Sequence, residues 1–206
     1  MKEDILEQLV DDYLQTEGYF TRHNIKFRPR NDHPDFDSKK DSNHSDIDVI
    51  GIHPKKTGPD RVWVASCKSW QSGFNVRAKL EELAENKTRS GRKAWQFFRE
   101  LMKPKWSEAF IDAVESVAGT REFTYVLAVT VIIGDRRSWE GHRPFIEAMG
   151  GNPIRMIELS EMLDSIKTQS TTTVASSDIG RVLQLMSAAE RGKSALLKAV
   201  ESQVET

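Results

Sequence analysis

The sequence predicts an α/β fold, a mixed central sheet flanked by helices, and three observations carry that prediction. The chain opens on an apolar stripe at helical spacing. Two β-rich runs, 45–52 and 61–69, follow with turn chemistry between them. A nearly all-apolar, β-branched run, TYVLAVTVII at 124–133, then lies between helical patterns, as a strand covered on both faces would.

The elements follow in chain order. In residues 3–17, Ile5, Leu6, Leu9, Val10, Tyr13 and Leu14 fall on one helical stripe, and Gly18 supplies the stop. Tyr19 to Phe27 reads as a first strand. Residues 28–44, RPRNDHPDFDSKKDSNH, form a long polar loop with no period, of the kind that is usually functional or mobile. SDIDVIGI (45–52) and RVWVASCKS (61–69) read as an antiparallel pair around the turn segment HPKKTGPD. Residues 75–87 and 91–117 read as helices, with Pro104 breaking or kinking the second. After the 124–133 strand come a helix around His142 to Met149, a short strand at 154–159 and a helix at 160–167 capped by Ser160. TQSTTTVASS, 168–177, has linker composition, which bounds a main domain at 1–167 and a helical tail at 178–206. In the tail, Leu183, Met186, Leu196, Leu197 and Val200 are available to pack on the domain or on a partner, so a homodimer or larger assembly through the tail is one expectation.

Composition sets limits on function. Of 206 residues, 38% are hydrophobic, enough for a core, and 30% are charged. No apolar run is long enough to span a membrane. The first twelve residues are acidic and amphipathic, unlike a targeting peptide. The single cysteine, Cys67, excludes an internal disulfide, and a reducing cytoplasmic setting is the simplest reading. A net charge of −1 gives no overall basic field for nucleic acid, so any such function must come from local pattern.

The local pattern lies on the paired runs. Strict alternation puts Asp46, Asp48 and Ile50 on one face of the first run, and Ser66 and Lys68 on one face of the second. Carboxylates in an otherwise apolar strand are costly to bury without a compensating charge. Taken alone, an Asp–Lys pair here reads as a partly buried salt bridge.

The order of elements gives the pair more meaning. A helix bearing Glu7, a hairpin with Asp48 on one strand and x-x-Lys68 on the next, and then a helix resemble the PD-(D/E)xK nuclease superfamily. The layout is similar to Mrr-type restriction enzymes and archaeal Holliday-junction resolvases, over roughly residues 3–90 with the 124–166 run in the expected place. The resemblance implies a restriction-endonuclease-like fold, DNA as substrate and Mg²⁺ (or Mn²⁺) as cofactor. It implies Asp48 as the main metal ligand, the Cys67 backbone carbonyl as another, Lys68 as the residue assisting the nucleophile, and Glu7 reaching in from the first helix.

One position departs from the pattern: Ser66 stands where the family usually carries an acid. Three arrangements are open. The acid has moved to the following helix, where KLEELAENK offers Glu81, Glu82 and Glu85; of these, Glu82 is taken as the relocated ligand. Or Asp46 completes the site. Or the site is dead, and the chain is an inactive nuclease-fold module that binds nucleic acid or a protein partner.

Other residues carry weaker signals. Gln71 is a candidate for contacting water or phosphate, or a plain turn residue. Lys87, Arg89, Arg92 and Lys93 form the densest basic run and are the candidate nucleic-acid contacts, or a solvated helix start. His33 and His44 lack metal-ligand spacing and read as surface histidines. Cys67 reads as a small packed residue, and the five tryptophans as packing. No Gly-rich phosphate loop is present, which argues against nucleotide hydrolysis.

Overall fold

The computed structural model describes residues 5–89, 91–169 and 177–204, with side chains through residue 192. Helix α1 (Ile5–Thr16) buries Leu6, Leu9, Val10 and Leu14 of the predicted stripe, while Tyr13 is half-buried and Ile5, at the helix start, is exposed. It ends where Gly18 turns left-handed, at φ 87°, and the Tyr19 N–H closes back on the Leu14 carbonyl at 2.9 Å. Strands β1 (Phe20–Phe27), β2 (Ser45–Ile52) and β3 (Val62–Lys68) form an antiparallel meander, and the 28–44 segment between β1 and β2, expected to be all loop, carries one helical turn, α2 (Ser38–Asp41), capped by Asp37. Next come a short strand β4 (Phe74–Asn75), helix α3 (Val76–Ala84), and a small hairpin of β5 (Thr88–Arg89) and β6 (Arg92–Lys93). A 3-10 turn at Ala94–Phe97 leads into α4 (Arg99–Met102) and α5 (Pro104–Ala118). Strand β7 (Thr124–Val129) runs parallel to β3, and β9 (Ile154–Glu158) runs parallel to β7. The sheet order is β1-β2-β3-β7-β9, a mixed five-stranded sheet between two helical layers, as the sequence predicts.

Each layer has its own core. On one face α3, α4, α5 and the α6 (Arg136–Glu140) and α7 (Arg143–Ala148) segment cover Ile50, Val64, Tyr125 and Leu127 with Phe74, Phe98, Trp106, Phe110, Trp139 and Phe145. On the other, α1 and α8 (Leu159–Gln169) cover Val49, Ala65, Val126 and Ala128. Every residue of β7 is buried, which is why that run carries no polar alternation.

Several boundaries differ from expectation. The break expected at Pro104 is there, but the 91–117 stretch is a hairpin strand, a 3-10 turn and two helices rather than one interrupted helix. Gly91 sits at φ 76°, Phe98 is non-helical, and Lys103 is extended ahead of Pro104, which opens α5. The 124–133 run is two strands, because the chain bends after Val129 to place β8 (Ile132–Ile133) beside β4. There the Thr130 hydroxyl donates to the Trp70 carbonyl at 2.6 Å. Ser160 does not cap α8: the helix starts at Leu159, the Ser160 hydroxyl donates to Glu158, and the Glu161 carboxylate accepts the Glu158 N–H instead. Thr168 and Gln169, placed in the linker by composition, extend α8. Residues 170–176 of that linker lie outside the described residues. Ser177 caps helix α9 (Asp178–Val204) and hydrogen-bonds Asp12 on α1. Of the tail's apolar residues, Leu183 packs on Leu9 and Ile166 while Met186 is exposed. Leu196, Leu197 and Val200 lie outside the described side chains.

The long 28–44 loop is tied to α5. Asp41 is buried at 2% exposure and accepts from both the Asp37 N–H and the Lys105 ammonium, which also donates to the Asp35 carbonyl. Burial pushes the Asp41 carboxyl up, but Lys105 and the Asp37 N–H outweigh it, so the group sits below the usual carboxylate range. A lowered value means stability that is present above the unfolded-state pKa and lost as pH falls through the folded one. Lys105 keeps some solvent access, so Asp41→Ala should cost about 2–3 kcal/mol, less than the ~3–5 of a fully buried pair. Urea titration checks the magnitude, and limited proteolysis should then cut within 28–44 first.

Candidate active site

The site begins where two strands part. The β2–β3 ladder runs from Ile52–Val62 to Val49–Ala65 and stops there. Continued, it would pair Asp48 with Ser66. Instead β2 stays with β1 down to Ser45, while β3 stays with β7 down to Lys68. At the parting, Asp48 Oδ2 accepts the Cys67 N–H at 2.6 Å. Opposite Asp48 on β1, Asn24 drops out of the ladder and turns left-handed, at φ 53°. At this point the facing of both strands reverses: Ile47 and Ile50 share the larger core while Val49 lies in the other. The strict alternation expected of SDIDVIGI therefore fails at Asp48. Asp46 pairs with Lys26 across the β1–β2 ladder, at the rim of the site.

A cavity of about 300 Å³ occupies the fork. Asp48, Ser66, Lys68, Glu100 and Arg92 are among its lining residues. Lys68 Nζ donates to Ser66 Oγ at 2.9 Å, Ser66 hydrogen-bonds the Tyr125 hydroxyl, and that hydroxyl donates to Glu100 Oε1 at 2.7 Å. The result is a directed chain, Lys68 to Ser66 to Tyr125 to Glu100, in which each group polarises the next. Tyr125 is fully buried; burial first, and then the Glu100 charge, hold its hydroxyl well above the usual range, so it stays a donor. Glu100 is 6% exposed, and its backbone carbonyl accepts from Ser107 at the α4–α5 corner. The carboxyl of Asp48 is raised above the usual range by burial, against the pull of Lys68 and the Cys67 N–H; Glu100 and Asp46 push it further up.

This arrangement brings together Asp48, Ser66 and Lys68 of the sequence-predicted set, with Asp46 at the rim. The acids expected from α3 lie elsewhere. Glu81 pairs with Arg77, Glu85 with Lys87, and Glu82 with Lys79 and Arg89, and none of the three lines this cavity. Glu7 is half-buried on α1, which packs on the sheet face that carries Ala65 and Cys67, and it is not among the cavity's lining residues. Gln71 is exposed and lines a second, neighbouring cavity. In the basic run, Arg92 reaches the Asp48 cavity, Arg89 lines the second one, and Lys87 and Lys93 are exposed. His33 accepts the Asp35 N–H, and exposed His44 lies at the cavity mouth.

Glu100 and Tyr125 are the site residues that sequence reasoning missed. Glu100 lies thirty-two residues after Lys68, inside the 91–117 segment read as helix up to a break or kink at Pro104. The signal was an acid between apolar pairs, Phe97–Phe98 and Leu101–Met102, where burial demands a partner.

Among the described residues, no three His, Cys, Asp or Glu side chains are grouped as for a metal. The donor set nonetheless suits a hard divalent cation that keeps several waters. Two carboxylates, Asp48 and Glu100, line the cavity, and the Glu100 charge is close enough to raise the cost of ionising Asp48. Cys67 is not among the cavity's lining residues; its N–H meets Asp48 at the fork.

Because the Asp48 carboxyl is raised, its charged form weakens the fold as pH climbs from the unfolded-state value through the folded one. Asn at this position still accepts the Cys67 N–H. Asp48→Asn should therefore raise the melting temperature at neutral pH, and the gain should vanish in acid. Thermal melts across pH check this; an unchanged or lowered melting temperature at pH 7 would contradict it.

The sequence matches no protein-family model and no curated protein. Among solved structures, the chain is similar to one described as a protein of unknown function, at 10% identity and a TM-score of 0.38. That match covers 79% of this chain and 66% of the other, so the chain spans just under two thirds of that structure's length. Among the described residues, no helix is long and apolar enough to cross a membrane.

Proposed function

We propose that this chain is a metal-dependent endonuclease of the PD-(D/E)xK type, hydrolysing phosphodiester bonds of DNA in the cytoplasm. The observation that carries the reading is the strand fork, where Asp48, Lys68 and Glu100 converge on one small cavity. In this reading Glu100 stands in for the acid missing at Ser66. The order of α1, the meander, the helices and the parallel β7 and β9 agrees with the resemblance that Asp48 and Lys68 carry.

Asp48 and Glu100 would hold Mg²⁺ or Mn²⁺, with the Cys67 carbonyl as the further ligand that the resemblance implies. The chemistry supplied by such a cation would be a water of lowered pKa and compensation of charge on the scissile phosphate. Asp48 and Glu100 would hold and orient that water from the walls of the fork's cavity. Lys68, a point charge on a flexible stem, is held against Ser66; from there its ammonium orients the attacking water and stabilises charge that builds on the phosphate. Arg92, at the cavity mouth, binds a neighbouring phosphate and sets the register of the strand.

Purified chain should nick supercoiled plasmid with Mg²⁺ or Mn²⁺ and not with EDTA. Asp48→Asn, Glu100→Gln and Lys68→Ala should each slow cleavage by about 100-fold or more. Glu81→Gln and Glu85→Gln, on the exposed face of α3, should leave the rate unchanged. Cleavage that survives Asp48→Asn and Lys68→Ala would overturn the assignment. Absence of cleavage with every divalent metal, alongside retained DNA binding, would leave a nuclease-like fold serving as a binding module.

A further inference from the structure

A second and larger cavity, about 1040 Å³, lies beside the cleavage cavity, and Phe97 lines both. Its walls are aromatic and apolar on one side, where Trp70, Phe97 and Phe98 meet nearly edge-to-face. On the other side is Glu82, an acid with only 8% of its side chain exposed. Glu82 Oε2 accepts from Lys79 at 2.9 Å and Oε1 accepts from Arg89 at 2.7 Å. Lys79 in turn rests on the face of Trp70, 4.5 Å from the ring centroid. The metal-site reading above makes no use of this group.

A carboxylate has about four lone-pair sites, and Lys79 and Arg89 occupy two of Glu82's. Acceptor capacity therefore remains on a fixed, nearly dry carboxylate at the wall of an aromatic cavity. Lys79 and Arg89 supply positive charge at its edge, and Arg92, on the partner strand of the same hairpin as Arg89, lines the cleavage cavity. A strand whose phosphate lies at Asp48 and Lys68 would thus have the next opening within reach of its neighbouring base. Unstacked bases are held on aromatic side chains, and an acidic side chain accepts from the cytosine amino group. The cavity volume is at the upper end of the range that takes drug-sized ligands, which leaves room for a nucleotide and water.

We infer that this cavity is a nucleobase-binding site that accepts an unstacked base of the substrate strand and prefers cytosine over thymine, with Glu82 accepting from its amino edge. The inference rests on the nuclease reading for the strand's position and adds a base preference to it. Arg89 and Lys79 are positioning residues: their contacts at 2.7 and 2.9 Å hold the Glu82 side chain in place.

The test uses the full chain with Ca²⁺ in place of Mg²⁺, titrated with fluorescently labelled short oligo(dC) and oligo(dT) strands at neutral pH and followed by anisotropy. These strands differ in the base edge, not in charge. Oligo(dC) should bind about ten-fold more tightly, the scale of one good base contact. Glu82→Gln should bring the two affinities together, and Phe97→Leu should weaken both. If Glu82→Gln does not fold, as judged by circular dichroism, Arg89→Ala replaces it and should reduce the preference. Equal affinities in the wild type, or a preference that persists in these variants, would overturn the cavity's role and leave the nuclease assignment standing. Failure to bind either strand, together with failure to nick plasmid, would overturn both.

Discussion

The parting of β2 and β3 at Asp48 and Ser66 is the constraint on which the site depends. A strand pair that separates inside a sheet exposes backbone groups that must find partners, since an unpaired buried N–H costs free energy on the scale of a hydrogen bond. Here the Asp48 side chain accepts the Cys67 N–H where the β2–β3 ladder has ended. The same group is thus a structural cap and the first candidate metal ligand. Its raised carboxyl shows the conflict between these roles: the fold alone would favour an uncharged group there. A polar residue kept against the preference of its surroundings is a common mark of a functional site.

Ser66 and Glu100 are joined through the Tyr125 hydroxyl. A carboxylate at 66 would stand beside Tyr125, and through it Glu100, with Asp48 also near: three acids in one buried pocket served by one lysine. A hydroxyl instead accepts from Lys68 and donates a hydrogen bond to the Tyr125 hydroxyl, which in turn donates to Glu100. One serine thereby connects the cation and the acid without adding charge. The chain also orders Lys68, whose long stem would otherwise keep much of its rotamer entropy.

Much of the fold was legible because burial writes itself into period. The α1 stripe, the paired runs 45–52 and 61–69 and the all-apolar β7 each follow from which faces are covered. What was not legible followed from tertiary contact. The 91–117 stretch contains enough helix formers to read as helix up to Pro104, yet Phe98 breaks it because its ring is fully drawn into the core beside Phe74 and Trp139. Asp48 and Lys68 were visible as charges at odd places in apolar strands. Glu82 was visible too, but its partners, Lys79 and Arg89, form a second polar cluster rather than join the first. No local rule distinguishes the two outcomes, because both place a buried acid on the helical side of the sheet.

The position of Glu100 makes the site a product of the second half of the domain as well as the first. Its carboxylate is held by Tyr125 on β7, and its backbone carbonyl by Ser107 on α5. The neighbouring Phe98 and Leu101 anchor α4 in the core. Asp48 and Lys68 belong to the meander, which closes locally in sequence; Glu100 arrives only once α4, α5 and β7 have packed over it. Contacts of that separation form at greater entropic cost than a hairpin does. A site assembled this way cannot be complete in a partly folded chain, where the meander alone would offer one carboxylate and a lysine. With its second carboxylate on α4 rather than on β3, the whole set of polar groups is conditional on the finished core.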